Sequence, residues 1–247
     1  MKAIILAAGK GTRLHPITES MPKCLIPVDD KVILEHMLER LTKNNIDKII
    51  LVVGFEEDQI KRHFGNYFNN TEIEYITNPK YDVHNNIYSL WLAKDHIDDD
   101  ILIINADNMV NKDILKDIIE SEHENAACID DTITNLPEEA MKAQISDGLL
   151  KDVSKTISSD AIHGDAIGIY KFSKEGAKIY FDEIASCIDN GEANMFYLHA
   201  MSKLAKKGFD IHVISTRGLT WHEVDDHEDL AKAGELLKRI KEEEANS

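Results

Sequence analysis

Near the start of the chain an apolar run, Ala3-Ile4-Ile5-Leu6-Ala7-Ala8, breaks into Gly9-Lys10-Gly11-Thr12-Arg13. Glycines there let the backbone bend and come close to a ligand. Free N–H groups, Lys10 and Arg13 supply positive potential for a phosphate chain, so a nucleoside triphosphate would fit. The spacing is neither G-x-G-x-x-G nor G-x-x-x-x-G-K-[ST], which sets aside the dinucleotide fingerprint and the Walker loop. Strands also turn on glycines for packing alone, so the turn by itself names no substrate. The next segment, Met21-Pro22-Lys23-Cys24-Leu25-Ile26-Pro27, brings a further cation. These few cations stand out because 45 acids face 28 Lys and Arg, a formal charge of −17. That balance argues against duplex nucleic acid or an anionic membrane as partner.

The elements that must hold these residues read as strands alternating with helices, the order of an α/β protein with a parallel sheet covered on both faces. Strands are expected at 3–8, 48–53, 73–77, 101–104, 126–130, 144–146, 166–171 and 210–215. Helices are expected at 33–44, 56–64, 85–96, 174–188 and 195–207, and residues 236–244, LLKRIKEEE, read as a solvated terminal helix. Asn85 precedes the stripe Ile87, Leu90 and Trp91 as an N-cap. Ligands of open α/β sheets gather beyond the carboxyl ends of strands, so Asp107, in Asn105-Ala106-Asp107-Asn108, is expected to share a crevice with the Gly9 turn. With 247 residues, 43% of them hydrophobic, one domain over 1–247 is expected. Cys24, Cys128 and Cys187 show neither disulfide nor zinc spacing, and the histidines, His163 beside Gly164 included, read as structural or surface residues. Without a signal peptide, membrane-length apolar run or lipidation motif, the cytoplasm is the expected compartment.

The strings A-A-G-x-G-T-R-L (7–14) and P-K-x-L-x-P (22–27) resemble the signature of the nucleoside-triphosphate transferase family. That family includes sugar-1-phosphate nucleotidyltransferases and phosphocholine cytidylyltransferases. The similarity runs from Lys2 to about Leu237, and Trp221-His222-Glu223-Val224-Asp225 followed by Asp229-Leu230 and Ala233 resembles its closing W-x-E-I-D and D-L-x-x-A segment. The resemblance implies a Rossmann-like three-layer α/β/α fold around a mostly parallel central sheet. It implies Mg²⁺ on Asp107 and Asp225, with Lys23 on the phosphates and Arg13 bracing the leaving pyrophosphate. The nucleotide would lie against Leu6, Ala8, Gly9, Gly11, Thr12, Asn85, Ser89 and Ala106. Lys155, after a strand-turn-strand similar to the family's, would hold the acceptor anion. An acceptor phosphate is already anionic near neutral pH, so positioning and charge neutralisation suffice and no general base is assigned.

Asn78-Pro79-Lys80-Tyr81 with Asn85-Asn86-Ile87-Tyr88-Ser89-Leu90 looks like the branch that uses CTP on phosphocholine, 2-aminoethylphosphonate and similar small molecules. Asn105-Ala106-Asp107-Asn108 resembles that branch's D-A-D-N, with Asn105 where it has an aspartate. A quaternary ammonium would want an aromatic cage, for which Tyr81, Tyr88, Trp91 and Trp221 are candidates, whereas acids, Glu223 among them, would suit a primary ammonium. The expected reaction is therefore transfer of CMP from CTP to a small phosphorylated alcohol or phosphonate, releasing pyrophosphate and a CDP-linked product. One alternative is a sugar-1-phosphate nucleotidyltransferase using UTP or dTTP. Another is a non-catalytic nucleotide-binding regulatory subunit, against which Arg13, Lys23, Asp107 and Asp225 together argue. The acceptor and the oligomeric state stay open.

Overall fold

The computed structural model describes residues 1–133 and 135–246; Thr134 and Ser247, the last residue of the expected domain, lie outside them. In chain order the elements begin β1 (Lys2–Ala7), β2 (Pro27–Val28), β3 (Lys31–Val32), α1 (Ile33–Lys43), β4 (Lys48–Val53), α2 (Glu57–Phe64), β5 (Tyr67–Phe68), β6 (Thr71–Thr77) and α3 (Asn86–Trp91). They continue with β7 (Ile101–Asn105), β8 (Asn108–Val110), α4 (Lys112–Glu120), β9 (Asn125–Asp130), β10 (Lys142–Ser146), β11 (Leu149–Ser154) and β12 (Gly164–Phe172). The chain closes with α5 (Lys174–Asp189), α6 (Tyr197–Lys206), β13 (His212–Ser215), β14 (Trp221–Glu223) and α7 (His227–Asn246).

The main sheet has the order β10-β11-β13-β9-β12-β7-β1-β4-β6-β5. The parallel character read from the sequence is strongest in one half, where β7, β1, β4 and β6 run together, and β13 also runs parallel to β9 in the other. In the other half β12 lies antiparallel between β7 and β9, so the sheet as a whole is mixed. Its two faces bury separate cores. Ile4, Ile50 and Ile103 point to the α3, α5 and α6 side, and Ile5, Leu51 and Ile104 to the α1, α2 and α4 side. Each such side chain contributes roughly 1.5–3 kcal/mol on burial, and together they make the sheet a rigid platform for the loops at its carboxyl edge.

Two registers place those loops. Leu6 pairs with Asn105 across the parallel β1–β7 ladder, so the Gly9 turn and Asp107 leave the sheet side by side. The short ribbon of β8 and β14 pairs Asn108 with Glu223, and the Val224 N–H donates to the Asp107 carbonyl at 3.1 Å. Residues more than a hundred positions apart are thereby fixed next to Asp107. Asn85 caps α3 as expected, its side chain accepting from the Asn86 N–H at 2.7 Å. That helix stops at Trp91, with a separate 3-10 turn at Lys94–His96, so the expected continuous helix to His96 is not formed. The last helix corrects the reading of a merely solvated end. α7 starts at His227 and buries Ala233, Leu237 and Ile240 against Leu14 and Val224, while Glu243 accepts from the Thr220 hydroxyl at 2.6 Å. Among the described residues no helix is long and apolar enough to cross a membrane, and the three cysteines are free and buried.

Candidate active site

At the carboxyl edge of the parallel strands lies a cleft of about 430 Å³. Leu6, Ala8, Gly9, Gly11, Thr12, Arg13, Lys23, Asn85, Ser89, Ala106, Asp107 and Asp225 all line it, as do Tyr81, Lys155 and Glu223. Gly11 adopts φ 62°, and a Cβ there would come within 2.9 Å of the Lys23 Cβ, so only glycine lets the turn lie over the lysine stem. Around Gly9 a Cβ would meet nothing within 4 Å; its bare backbone faces open cleft.

The charged groups converge tightly. Lys23 Nζ lies 2.6 Å from Asp107 Oδ2 and 2.6 Å from Asp225 Oδ1, and Arg13 Nη2 lies 2.6 Å from Asp225 Oδ2. Burial raises Asp225, but the charges of Lys23 and Arg13 outweigh it and hold the carboxyl below its ordinary range. Burial also works against charge on Lys23, yet Asp107 and Asp225 overcome it and hold the ammonium well above its ordinary pKa. Glu223 goes the other way. Burial and then the neighbouring Asp107 and Asp225 push it far above a normal carboxylate.

Three carboxylates, of Asp107, Glu223 and Asp225, offer ligand oxygens within 4.8 Å of one another. The Asp107 Oδ1 atom is buried without a hydrogen-bond partner, and the Lys23 ammonium bridges two of the three acids. An all-oxygen donor set with an orphaned carboxylate oxygen fits a hard divalent cation such as Mg²⁺.

Behind the cluster Asn105 acts as a spacer. Its Oδ1 accepts from Tyr197 Oη at 2.9 Å, and its Nδ2 faces Glu223 Oε1 at 3.4 Å. Gly168, at φ 74°, passes directly beneath, where a Cβ would fall 2.6 Å from Asn105 Nδ2. Lys155 Nζ pairs with Glu139 Oε2 at 2.6 Å and stands 5.0 Å from the centre of the Phe196 ring. Asp165, also lining the cleft, is pushed up to about 6 by burial and by the Asp130 charge, against the pull of Lys142.

The aromatic cage suggested by the sequence is not assembled. Trp91 turns away from the cleft, packs on the α5 and α6 side of the sheet and carries Lys94 Nζ 4.0 Å above its ring. Trp221 points back from β14, where its Nε1–H donates to Asp130 Oδ2 at 2.8 Å. Tyr88 stacks obliquely on Trp91 at 5.5 Å, outside the cleft. Tyr81 lies at the glycine turn, under Lys10 at 5.5 Å and against Gly54. His163 is structural as expected, its Nδ1 accepting from the Ile145 N–H. Lining residues to which the sequence reading gave no role include Asn105, Glu139, Asp165, Gly168, Phe196 and Tyr197. Of these only Asn105 carried a signal, as the departure inside N-A-D-N.

A β-α-β half-sheet thus carries a glycine turn over a lysine-bridged acid cluster. The nucleotidyl transferase family model matches residues 2–143, and the chain belongs to that family. It is 34% identical over 235 residues to the bifunctional protein GlmU of Methanococcus maripaludis, covering 94% of this chain and 53% of that one. It thus spans about half the length of these first relatives. It is 31% identical over 242 residues to the choline-phosphate cytidylyltransferase of Streptococcus pneumoniae, covering 96% of this chain and 99% of the relative. A solved structure of a CTP:phosphocholine cytidylyltransferase from Streptococcus pneumoniae superposes with a TM-score of 0.74 at 28% identity, covering 96% of this chain and 98% of that one.

Proposed function

We propose that the protein is a magnesium-dependent cytidylyltransferase that moves CMP from CTP to a small phosphorylated alcohol or phosphonate. The observation that carries the transfer chemistry is the meeting of Asp107, Glu223 and Asp225 with Lys23 and Arg13 at the mouth of the Gly9 turn. The choice of CTP and of a small acceptor is supported by the full-length similarity to the pneumococcal choline-phosphate enzyme and by the Asn78 to Leu90 segment.

In this reading the triphosphate lies along the bare backbone of Gly9 to Thr12, and Leu6, Ala8, Asn85, Ser89 and Ala106 surround the nucleoside. Asp107 and Asp225 would hold Mg²⁺, which neutralises charge on the phosphate oxygens and orients them when bound. Lys155 holds the acceptor's phosphate or phosphonate, one of whose oxygens attacks the α-phosphorus. The new O–P bond forms as the bond from the α-phosphorus to the bridging oxygen breaks, and pyrophosphate leaves toward Arg13 and Lys23. No proton has to be removed from an acceptor that is already anionic, and the cations need only be in place as charge moves to the leaving group.

The cleft bears on the acceptor as well. With Trp91 and Trp221 pointing away, a cation on the acceptor would meet Phe196, Tyr197 and the carboxylates of Asp165 and Glu139. That mixture suits an amine-bearing acceptor better than a neutral sugar. The test is pyrophosphate release with CTP, UTP, dTTP, ATP and GTP against phosphocholine, 2-aminoethylphosphonate, inositol-1-phosphate, glycerol phosphate and glucose-1-phosphate. Turnover with CTP and an amine-bearing acceptor supports the proposal. Turnover confined to glucose-1-phosphate with UTP or dTTP replaces it with the sugar-nucleotide reading.

A further inference from the structure

Away from the cleft, the turn between α5 and α6 gathers a second and chemically different cluster. Cys187 near the end of α5, Glu192 in the turn and His199 in α6 present a sulfur, a carboxylate oxygen and an imidazole nitrogen, all within 4.8 Å of one another. Cys187 is fully buried. The His199 Nε2 atom is also buried and has no hydrogen-bond partner, although Glu192 Oε2 is 3.5 Å away. A cation already stands at this node, since Lys203 Nζ lies 2.9 Å from Glu192 Oε2 and 3.5 Å from Cys187 Sγ. Lys23 occupies the acid cluster of the cleft in the same way. Buried cysteines are usually inert core residues. Cys24 and Cys128 fit that description, because among the described residues neither belongs to such a group.

We propose that Cys187, Glu192 and His199 form a binding site for a borderline-soft divalent cation, Zn²⁺ being the natural occupant, separate from the all-oxygen cluster of the cleft. Zn²⁺ takes a sulfur, an imidazole nitrogen and a carboxylate oxygen together, whereas Mg²⁺ avoids the sulfur and the nitrogen, and a water completes four-coordination. On binding, the Cys187 thiol releases its proton to solvent, His199 gives the Nε2 lone pair, and the flexible, partly exposed Lys203 head swings out to water. The bound ion would brace the wall that carries Phe196 and Tyr197. The same turn accepts from the Asn85 N–H through the Ala193 carbonyl at 3.1 Å, and Tyr197 N–H donates to Asn86 Oδ1 at 3.0 Å. Metal at this turn thus reaches both the acceptor and the nucleotide sides of the cleft.

The experiment titrates the full, metal-stripped chain under reducing conditions with Co²⁺, whose sulfur-to-cobalt charge-transfer band reports thiolate ligation and is silent for an oxygen-only site. One band saturating at one equivalent and displaced by Zn²⁺ is expected. It should persist in Asp107→Asn, vanish in Cys187→Ser, need at least ~10-fold more Co²⁺ in His199→Gln, and need less in Lys203→Leu, which removes the competing ammonium. Absence of the band in the unaltered chain, or its survival in Cys187→Ser, overturns the site. Since His199 and Lys203 are partly exposed, their variants test the ligand set without disturbing the core.

Discussion

Replacing Lys23 with methionine keeps the length of the stem and removes the ammonium that holds Asp107 and Asp225 together at 2.6 Å each. Breaking a fully buried pair by deleting one partner costs about 3–5 kcal/mol, and an exposed pair contributes at most about 1. Here the side chains retain 14, 21 and 27% of their exposure for Lys23, Asp107 and Asp225, and Arg13 still contacts Asp225. A loss of about 2 kcal/mol is therefore expected. For a chain of this size that lowers Tm by roughly 4–8 °C in a thermal melt with chelator present. The same reasoning gives a second, opposite signature. Without its resident ammonium the acid cluster should bind Mg²⁺ more tightly, so added Mg²⁺ should raise the melting temperature of Lys23→Met by more than it raises that of the unaltered chain. CTP turnover should nevertheless collapse, because the proposed reaction also sets the Lys23 ammonium against the phosphates. A variant that melts within ~1 °C of the parent in chelator, or gains no more from Mg²⁺ than the parent does, would refute the idea that Lys23 and the metal compete for one set of carboxylates.

Gly9 faces open cleft, so Gly9→Val should leave the melting temperature almost unchanged while raising KM for CTP at least ~10-fold; a loss of stability with normal KM would assign that glycine to folding instead. Gly168→Ala puts a methyl at φ 74° and 2.6 Å from Asn105 Nδ2, which should cost about 2–4 kcal/mol in urea unfolding and disturb Glu223 through Asn105. Asp165, raised to about 6 by burial and Asp130, holds its proton more tightly folded than unfolded, so its contribution to stability falls as pH rises from about 4 to 6. Asp165→Asn should therefore melt above the parent beyond pH 6, the gap closing near pH 4, and should raise KM for an amine-bearing acceptor most where the parent carboxylate is ionised. Trp91→Ala should lower stability by about 3–5 kcal/mol at most, with acceptor KM unmoved, since its ring lies outside the cleft. A KM rise in that variant would return the tryptophan to the site.

Much of the site was legible because its determinants are local. The Gly9 to Arg13 turn, the Pro22-Lys23 step and the Asn85 cap each depend on a few consecutive residues and on backbone needs that residue type reveals. Asp107 and Asp225 could be named from the motifs that carry them, and the alternation of elements gave the α/β class. What could not be read was decided by partners distant in the chain. Trp91 and Trp221 looked suited to hold a cation, yet which way each ring turns depends on the core behind α3 and on Asp130 beside β14. Phe196, Tyr197, Glu139 and Asp165 carry no phosphate or metal motif. Asp165 reaches the cleft because β12 inserts antiparallel between β7 and β9, Phe196 and Tyr197 because α6 packs on that side of the sheet, and Glu139 lies there paired with Lys155. The terminal run that reads as solvated became a packed helix because Leu14, Val224 and their neighbours supply an apolar partner for one stripe of it. The sequence by itself determined which atoms could meet a phosphate chain, since that follows from residue type and short spacing. Only the tertiary structure decided which side chains face the acceptor and that Lys23 sits between two acids, because those contacts rest on long-range register and packing.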